Sequence, residues 1–176
     1  MATLSVEARA KRIRLILLDV DGVRTDGTVI MHGDGTESKA FHIRDGAAMV
    51  WATHAGLTVG LLSARSSPAT TQRANQLGMK IVVQGVTSKP VEFARIVADS
   101  GLEDEAVAYM GDDLLDIGVF RRTGLAGAPA DAAGEVRAEA HWVSASGGGR
   151  GAVREFIELV LRAQGRWDAI VRERSA

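Results

Sequence analysis

Residues 13–27 read Ile13-Arg14-Leu15-Ile16-Leu17-Leu18-Asp19-Val20-Asp21-Gly22-Val23-Arg24-Thr25-Asp26-Gly27. Up to Leu18 the run is apolar except for Arg14, and it stops on an acid. A short continuous apolar run of this kind predicts a strand buried on both faces of a parallel sheet. The carboxyl end of such a strand is where an open α/β sheet places its chemistry, which makes Asp19 and Asp21 the first candidate site residues.

Outward from this strand, Thr28 to His32 and Glu37 to His42 flank Gly33-Asp34-Gly35, which predicts a β-hairpin over 28–42. A helix is expected from Asp45 to Ala55, then a strand at Thr58–Leu62, a helix at Pro68–Leu77, a strand at Ile81–Val83 and a helix at Pro90–Ser100. Proline in the first turn and glycine just past the end punctuate these helices. The strand Val107–Met110 runs into Gly111-Asp112-Asp113 and a helix to about Thr123. A short strand at Gly124–Ala126 and an edge strand at His141–Val143 follow, and a glycine-rich segment, Gly147–Gly151, leads to a helix at Ala152–Ala163 and a helical tail from Arg166. Strands alternating with helices imply right-handed crossovers and an α/β three-layer sandwich around a central parallel sheet. With 176 residues, one domain over 1–176 is expected, with no room for a large cap.

Composition limits the partners. A net charge of -1 with both signs spread along the chain gives no basic face for nucleic acid. Cysteine is absent, so there is neither a disulfide framework nor a thiolate metal site. The charged N-terminus lacks the apolar core of a secretory signal, and no run of about 18 apolar residues is present. A cytoplasmic protein with no membrane contact is expected.

Polar groups follow four expected strands: Asp19 and Asp21, then Ser63, then Lys89, then Asp112 and Asp113 with Asp116. In a parallel sheet these ends converge on one crevice. Carboxylates suit a hard divalent cation, a hydroxyl and an ammonium suit phosphoryl oxygens, and a spare carboxylate suits proton transfer. The set describes phosphoryl transfer. Each residue also has a plainer reading: Ser63 as a cap of the following helix, Asp113 as a cap of the next, Lys89 as a solvated first-turn lysine. His32, His42, His54 and His141 show no ligand spacing, and Trp51 is expected on the apolar face of its helix.

The ordered run of Asp19-Val20-Asp21-Gly22-Val23, Thr25-Asp26-Gly27, Ser63, Lys89 and Gly111-Asp112-Asp113-Leu114-Leu115-Asp116 resembles the four motifs of the haloacid-dehalogenase superfamily. Lys39-Ala40-Phe41, Arg44-Asp45-Gly46, Gln84-Gly85 and 148–155, Gly-Gly-Arg-Gly-Ala-Val-Arg-Glu, are similar to its small capless branch, which includes the 3-deoxy-D-manno-octulosonate 8-phosphate phosphatases. The resemblance implies that Asp19 is a nucleophile that becomes phosphorylated and that Asp21 is the general acid and base. It implies that magnesium is held by Asp19, Asp112 and the backbone carbonyl of Asp21. Ser63 and Lys89 would take the non-bridging oxygens, Asp113 and Asp116 would support metal waters or Lys89, and Thr25, Ala64 and Arg65 would touch substrate. The hairpin would be a small flap, and four subunits would form a ring in which a neighbour covers each mouth. The glycine-rich segment would let Arg150 approach an active site and meet a sugar carboxylate.

Two positions depart from the branch: Arg24 stands where an apolar residue is usual, and Ala64 replaces a glycine. Both are expected beside the mouth, where Arg24 would add positive charge for an anionic substrate or mark a different sugar phosphate as the substrate. Arg65 favours the octulosonate 8-phosphate over a nonulosonate 9-phosphate, whose enzymes carry an acid there. A signalling receiver domain uses similar groups, but its lysine comes last, whereas Lys89 precedes Asp112. A catalytically silent oligomerising copy of the fold is the other alternative, and the presence of Asp19, Asp21, Lys89 and Asp112 argues against it.

Overall fold

In the computed structural model, which describes residues 4–175, Leu15–Leu18 form β1 with all four side chains buried. Successive side chains leave a strand on opposite faces. Leu15 and Leu17 enter one core layer with Phe93, Tyr109 and Phe120, while Ile16 and Leu18 enter the other with Met110, Phe156 and Val160. This two-sided burial explains the uninterrupted apolar run.

The hairpin follows as β2 (Ile30–Met31) and β3 (Glu37–Ser38), antiparallel with Ile30 opposite Ser38. The alternating pattern then gives α2 (Ile43–His54), β4 (Thr58–Leu62), α3 (Pro68–Gln76), β5 (Ile81–Val83), α4 (Lys89–Asp99) and β6 (Val107–Met110). Beyond it come α5 (Ile117–Phe120), β7 (Leu125–Ala128), α6 (Gly134–Glu139), β8 (Trp142–Val143), α7 (Ala152–Ala163) and α8 (Trp167–Arg174). A short helix, α1 (Val6–Ala10), precedes β1. The six-stranded sheet has the order β5-β4-β1-β6-β7-β8 and every pair is parallel. Strand order reverses around β1, which puts the topological switch point between β1 and β6. Among the described residues no helix is long and apolar enough to cross a membrane, and no large cap is inserted into the sandwich.

Three expectations are corrected. The long helix expected up to Thr123 is a 3-10 turn, Leu114–Asp116, followed by the single-turn α5. Asp113 and Asp116 form a reciprocal capping box, and the Asp116 side chain turns back to the amides of Asp112 and Asp113, which tightens the entry. The flap strands are two residues each, shorter than the runs 28–32 and 37–42. The short helices α1 and α6 lie where no element was expected; Ser5 caps α1 by accepting from Ala8 N at 3.2 Å.

Candidate active site

Asp19 is the first residue past β1, and its amide donates to the Met110 carbonyl at the end of β6. The acid therefore stands level with Gly111, beside the turn that carries Asp112. The loop from Val20 to Gly27 is wound back by Val23, Arg24 and Thr25 amides donating to the Val20 carbonyl. Gly22 has φ +85°, and a Cβ there would lie 1.9 Å from Asp112 Oδ2. Only glycine lets the two loops meet this closely.

A crevice of about 260 Å3 opens at this point. Asp19, Asp21, Ser63, Ala64, Arg65, Lys89, Asp112 and Asp113 all line it, as expected from their places after strand ends. Lys89 is buried rather than solvated: its Nζ lies 2.7 Å from Asp19 Oδ2 and 2.6 Å from Asp116 Oδ1. Burial works to lower the lysine pKa, but Asp19 and Asp116 more than offset it and the ammonium is held above its ordinary value. Ser63 is not the helix cap, because Ser67 occupies that position of α3. Asp113 is exposed and caps the turn.

Asp116 lies behind the crevice, fully buried. Its Oδ1 accepts from Lys89 and from the Tyr109 hydroxyl at 2.6 Å, and its Oδ2 accepts from the amides of Asp112 and Asp113 at 2.9 and 3.1 Å. Carboxylate oxygens of Asp19, Asp112 and Asp116 lie within 4.8 Å of one another. With both oxygens of Asp116 already engaged twice, Asp19 and Asp112 are the acids with free capacity. Asp112 Oδ1 is buried without a hydrogen-bond partner, and the Asp21 carbonyl enters no hydrogen bond among the described residues. Hard oxygen donors in this arrangement fit magnesium.

The acids resist ionising together. Burial raises Asp19 to about 6, with Lys89 opposing and Asp116 adding to the rise. Burial, then the charges of Asp19 and Asp116, raise Asp112 to about 8. Buried carboxylates crowded in this way ask for a cation.

Thr25 and Arg24 do not stand where the sequence suggested. Thr25 is fully buried and lines no part of the crevice; its hydroxyl accepts from Gly27 N at 3.2 Å, closing the loop. Arg24 is only 2 % exposed and points away from the mouth, over the Phe41 ring at 5.3 Å. Burial and then Arg73 lower its pKa to about 10, against the pull of Asp45. Arg150 pairs with Asp26 at 3.7 Å in its own chain. The glycine-rich segment is packed rather than free, since a Cβ on Gly148 would lie 1.9 Å from the Gly22 carbonyl oxygen. None of the four histidines lines the crevice. Trp51 is half-buried in a seam with Trp167 and Arg154, where a larger crevice of about 430 Å3 holds no cluster of acids.

Glu37, Lys39 and Tyr109 were not assigned a role from sequence. Glu37 and Lys39 are two apart on a strand-like run and so share a face, which is the signal they offered. Lys39 Nζ donates to Asp21 Oδ1 at 2.5 Å.

A parallel sheet with Asp19 and Asp21 after β1, a buried lysine at the start of α4 and an acidic turn after β6 defines a capless hydrolase of the haloacid-dehalogenase superfamily. No family model matches the chain. It is 40% identical over 163 residues to the 3-deoxy-D-manno-octulosonate 8-phosphate phosphatase KdsC of Escherichia coli (strain B / BL21-DE3), covering 93% of this chain and 87% of that protein. The crystal structure of the phosphatase of that name from Yersinia pestis superposes with a TM-score of 0.91 at 40% identity, over 93% of this chain and 88% of that one. That from Moraxella catarrhalis, in complex with magnesium, phosphate and a KDO molecule, superposes at 0.94 with 34% identity, over 96% and 97%. The chain belongs to the 3-deoxy-D-manno-octulosonate 8-phosphate phosphatase family, a family of phosphoric monoester hydrolases.

Proposed function

We propose that this chain is a magnesium-dependent phosphomonoesterase that hydrolyses 3-deoxy-D-manno-octulosonate 8-phosphate through an aspartyl-phosphate on Asp19. The observation that carries the reading is the 2.7 Å contact between Asp19 and Lys89, inside a crevice that Asp21 and Asp112 also line. A carboxylate nucleophile, a fixed cation and a second carboxylate are the parts a phosphoryl transfer needs.

Asp19 attacks phosphorus, and the new bond forms as the ester bond to the sugar oxygen breaks, with Asp21 giving its proton to that oxygen. Asp21 then takes a proton from water, whose oxygen bonds to phosphorus as the bond to Asp19 breaks. The carboxylate is restored and inorganic phosphate leaves. Lys89 and Ser63 hold the non-bridging oxygens, and Ala64 and Arg65 border the sugar, where a guanidinium matches a carboxylate. Asp19, Asp112 and the Asp21 carbonyl would hold magnesium, which supplies charge neutralisation between nucleophile and phosphate. Asp116 anchors Lys89, and Asp113 caps the turn behind the metal ligands. One domain over 1–176 suffices for this chemistry. Exposed Ile30 and Met31 on the flap and Leu114 and Leu115 at the lip suit a tetrameric ring in which a neighbour covers the mouth and excludes water.

The test is phosphate release with magnesium from octulosonate 8-phosphate, nonulosonate 9-phosphates and simple sugar phosphates, with Asp19→Asn as the blank. Asp19→Asn is expected to lose on the order of 10⁴-fold in kcat and to remain folded. A preference of about tenfold for the octulosonate, on the order of 1.4 kcal/mol in transition-state binding, supports the substrate. The same preference for a nonulosonate 9-phosphate reassigns it. Release from nothing on the panel in an Asp19-dependent way leaves the silent, oligomerising domain.

A further inference from the structure

The flap reaches into the site through Glu37 of β3 and Lys39 just past its end. Lys39 Nζ donates to Asp21 Oδ1 at 2.5 Å and lies 3.8 Å from Glu37 Oε1. Glu37 Oε2 accepts from Arg65 Nη2 at 2.8 Å, and Arg65 Nε lies 3.6 Å from Asp21 Oδ2. Four alternating charges thus close a ring through the loop after β1, the flap and the loop after β4. The two cations differ in kind: the Arg65 side chain is 52% exposed and that of Lys39 is 1% exposed. A lysine so deeply buried is found where it is paired. Asp21 Oδ2 is itself buried and accepts no hydrogen bond.

The geometry points to Lys39 as a positioning residue for proton transfer by Asp21. It pins Oδ1 while Arg65 Nε stands 3.6 Å from Oδ2, so the plane of the carboxylate is set from both sides. This rests on the reading of Asp21 as acid and base given above. A carboxylate at the end of two rotatable bonds delivers a proton efficiently only when its orientation is fixed, and a misplacement of about 1 Å costs on the order of 100-fold in rate. A charge-assisted bond from a buried lysine supplies that restraint. Because the lysine belongs to the flap, the seat of the flap and the orientation of the acid share one contact.

A mere tether of the flap and a positioning role separate by leaving group. The value of kcat/KM reports steps up to formation of the phosphoenzyme, where an alkyl sugar oxygen needs a proton and p-nitrophenolate does not. Lys39→Met is expected to lower kcat/KM by about 10- to 100-fold on the preferred sugar phosphate and by less than about threefold on p-nitrophenyl phosphate. Lys39→Arg, which keeps a donor cation, is expected to recover most of the loss. In the Asp21→Asn background the further change Lys39→Met should cost no more than about twofold, since residues acting through one another are not additive. Wild-type turnover that Asp19→Asn abolishes establishes the phosphatase reading independently. Within it, equal losses on both substrates, or a full loss from Lys39→Met added to Asp21→Asn, overturn the assignment of Lys39.

Discussion

Lys89 Nζ lies 2.6 Å from Asp116 Oδ1 across 27 positions of chain, and both side chains are buried. The same carboxylate ties down Tyr109 and two backbone amides, so one acid fixes the lysine, the turn after β6 and the strand below it.

Breaking this node leaves a buried ammonium with one partner fewer. Asp116→Ala is expected to destabilise the fold by about 3–5 kcal/mol, whereas Asp113→Ala, which removes an exposed cap, should cost about 0.5–2 kcal/mol. Urea unfolding of the two variants side by side checks the ranking; equal losses would show that Asp116 does not act as the anchor.

Magnesium should protect the fold more as pH rises. Asp19 at about 6 and Asp112 at about 8 both lie above the value of about 4 expected for an unfolded aspartate. Between those values the folded chain keeps protons that the unfolded chain has lost. Their contribution to stability is full below about pH 4 and is lost as pH rises through 6 and then 8. In chelator the melting temperature is expected to fall over that window, and magnesium should restore it increasingly toward the upper end. Equal magnesium effects at about pH 5.5 and 8.5 would contradict the carboxylate cluster as the site of binding.

Arg24 is buried with all three guanidinium nitrogens unpartnered. Arg24→Leu is expected to leave kcat/KM within about twofold and to raise stability by about 1–4 kcal/mol, the range seen when buried charges give way to apolar side chains. A large loss of activity measured with the preferred sugar phosphate would return Arg24 to the mouth.

Gly22→Ala places a methyl group where Asp112 stands and forces a non-glycine residue to φ +85°. The backbone strain alone amounts to about 1–3 kcal/mol. Displacement of Asp112 should weaken magnesium binding by at least about tenfold, measurable by calorimetry, while Gly35→Ala, with open space at its flap tip, should leave it unchanged.

The fold was legible because its signals are local. The apolar run ending at Asp19, the proline-to-glycine punctuation of α3 and α4 and the acids after β1 and β6 each report on a neighbouring stretch of chain. The helix after Asp113 was misjudged because its side chains hydrogen-bond their own backbone, a competition that apolar periodicity does not register. Thr25 was expected to touch substrate and Arg24 to stand beside the mouth, but the loop winds back on the Val20 carbonyl and carries both into the interior.

By itself the sequence determined the class of sheet, the acids at its strand ends and the chemistry those acids can perform, since strand direction and side-chain type are properties of short segments. Only the tertiary structure decided that Asp116 anchors Lys89, that Arg24 is buried and that Lys39 reaches Asp21. Each of these depends on distances between segments far apart in the chain, which are set by the packing of helices and loops on the sheet and are not written in any one of them.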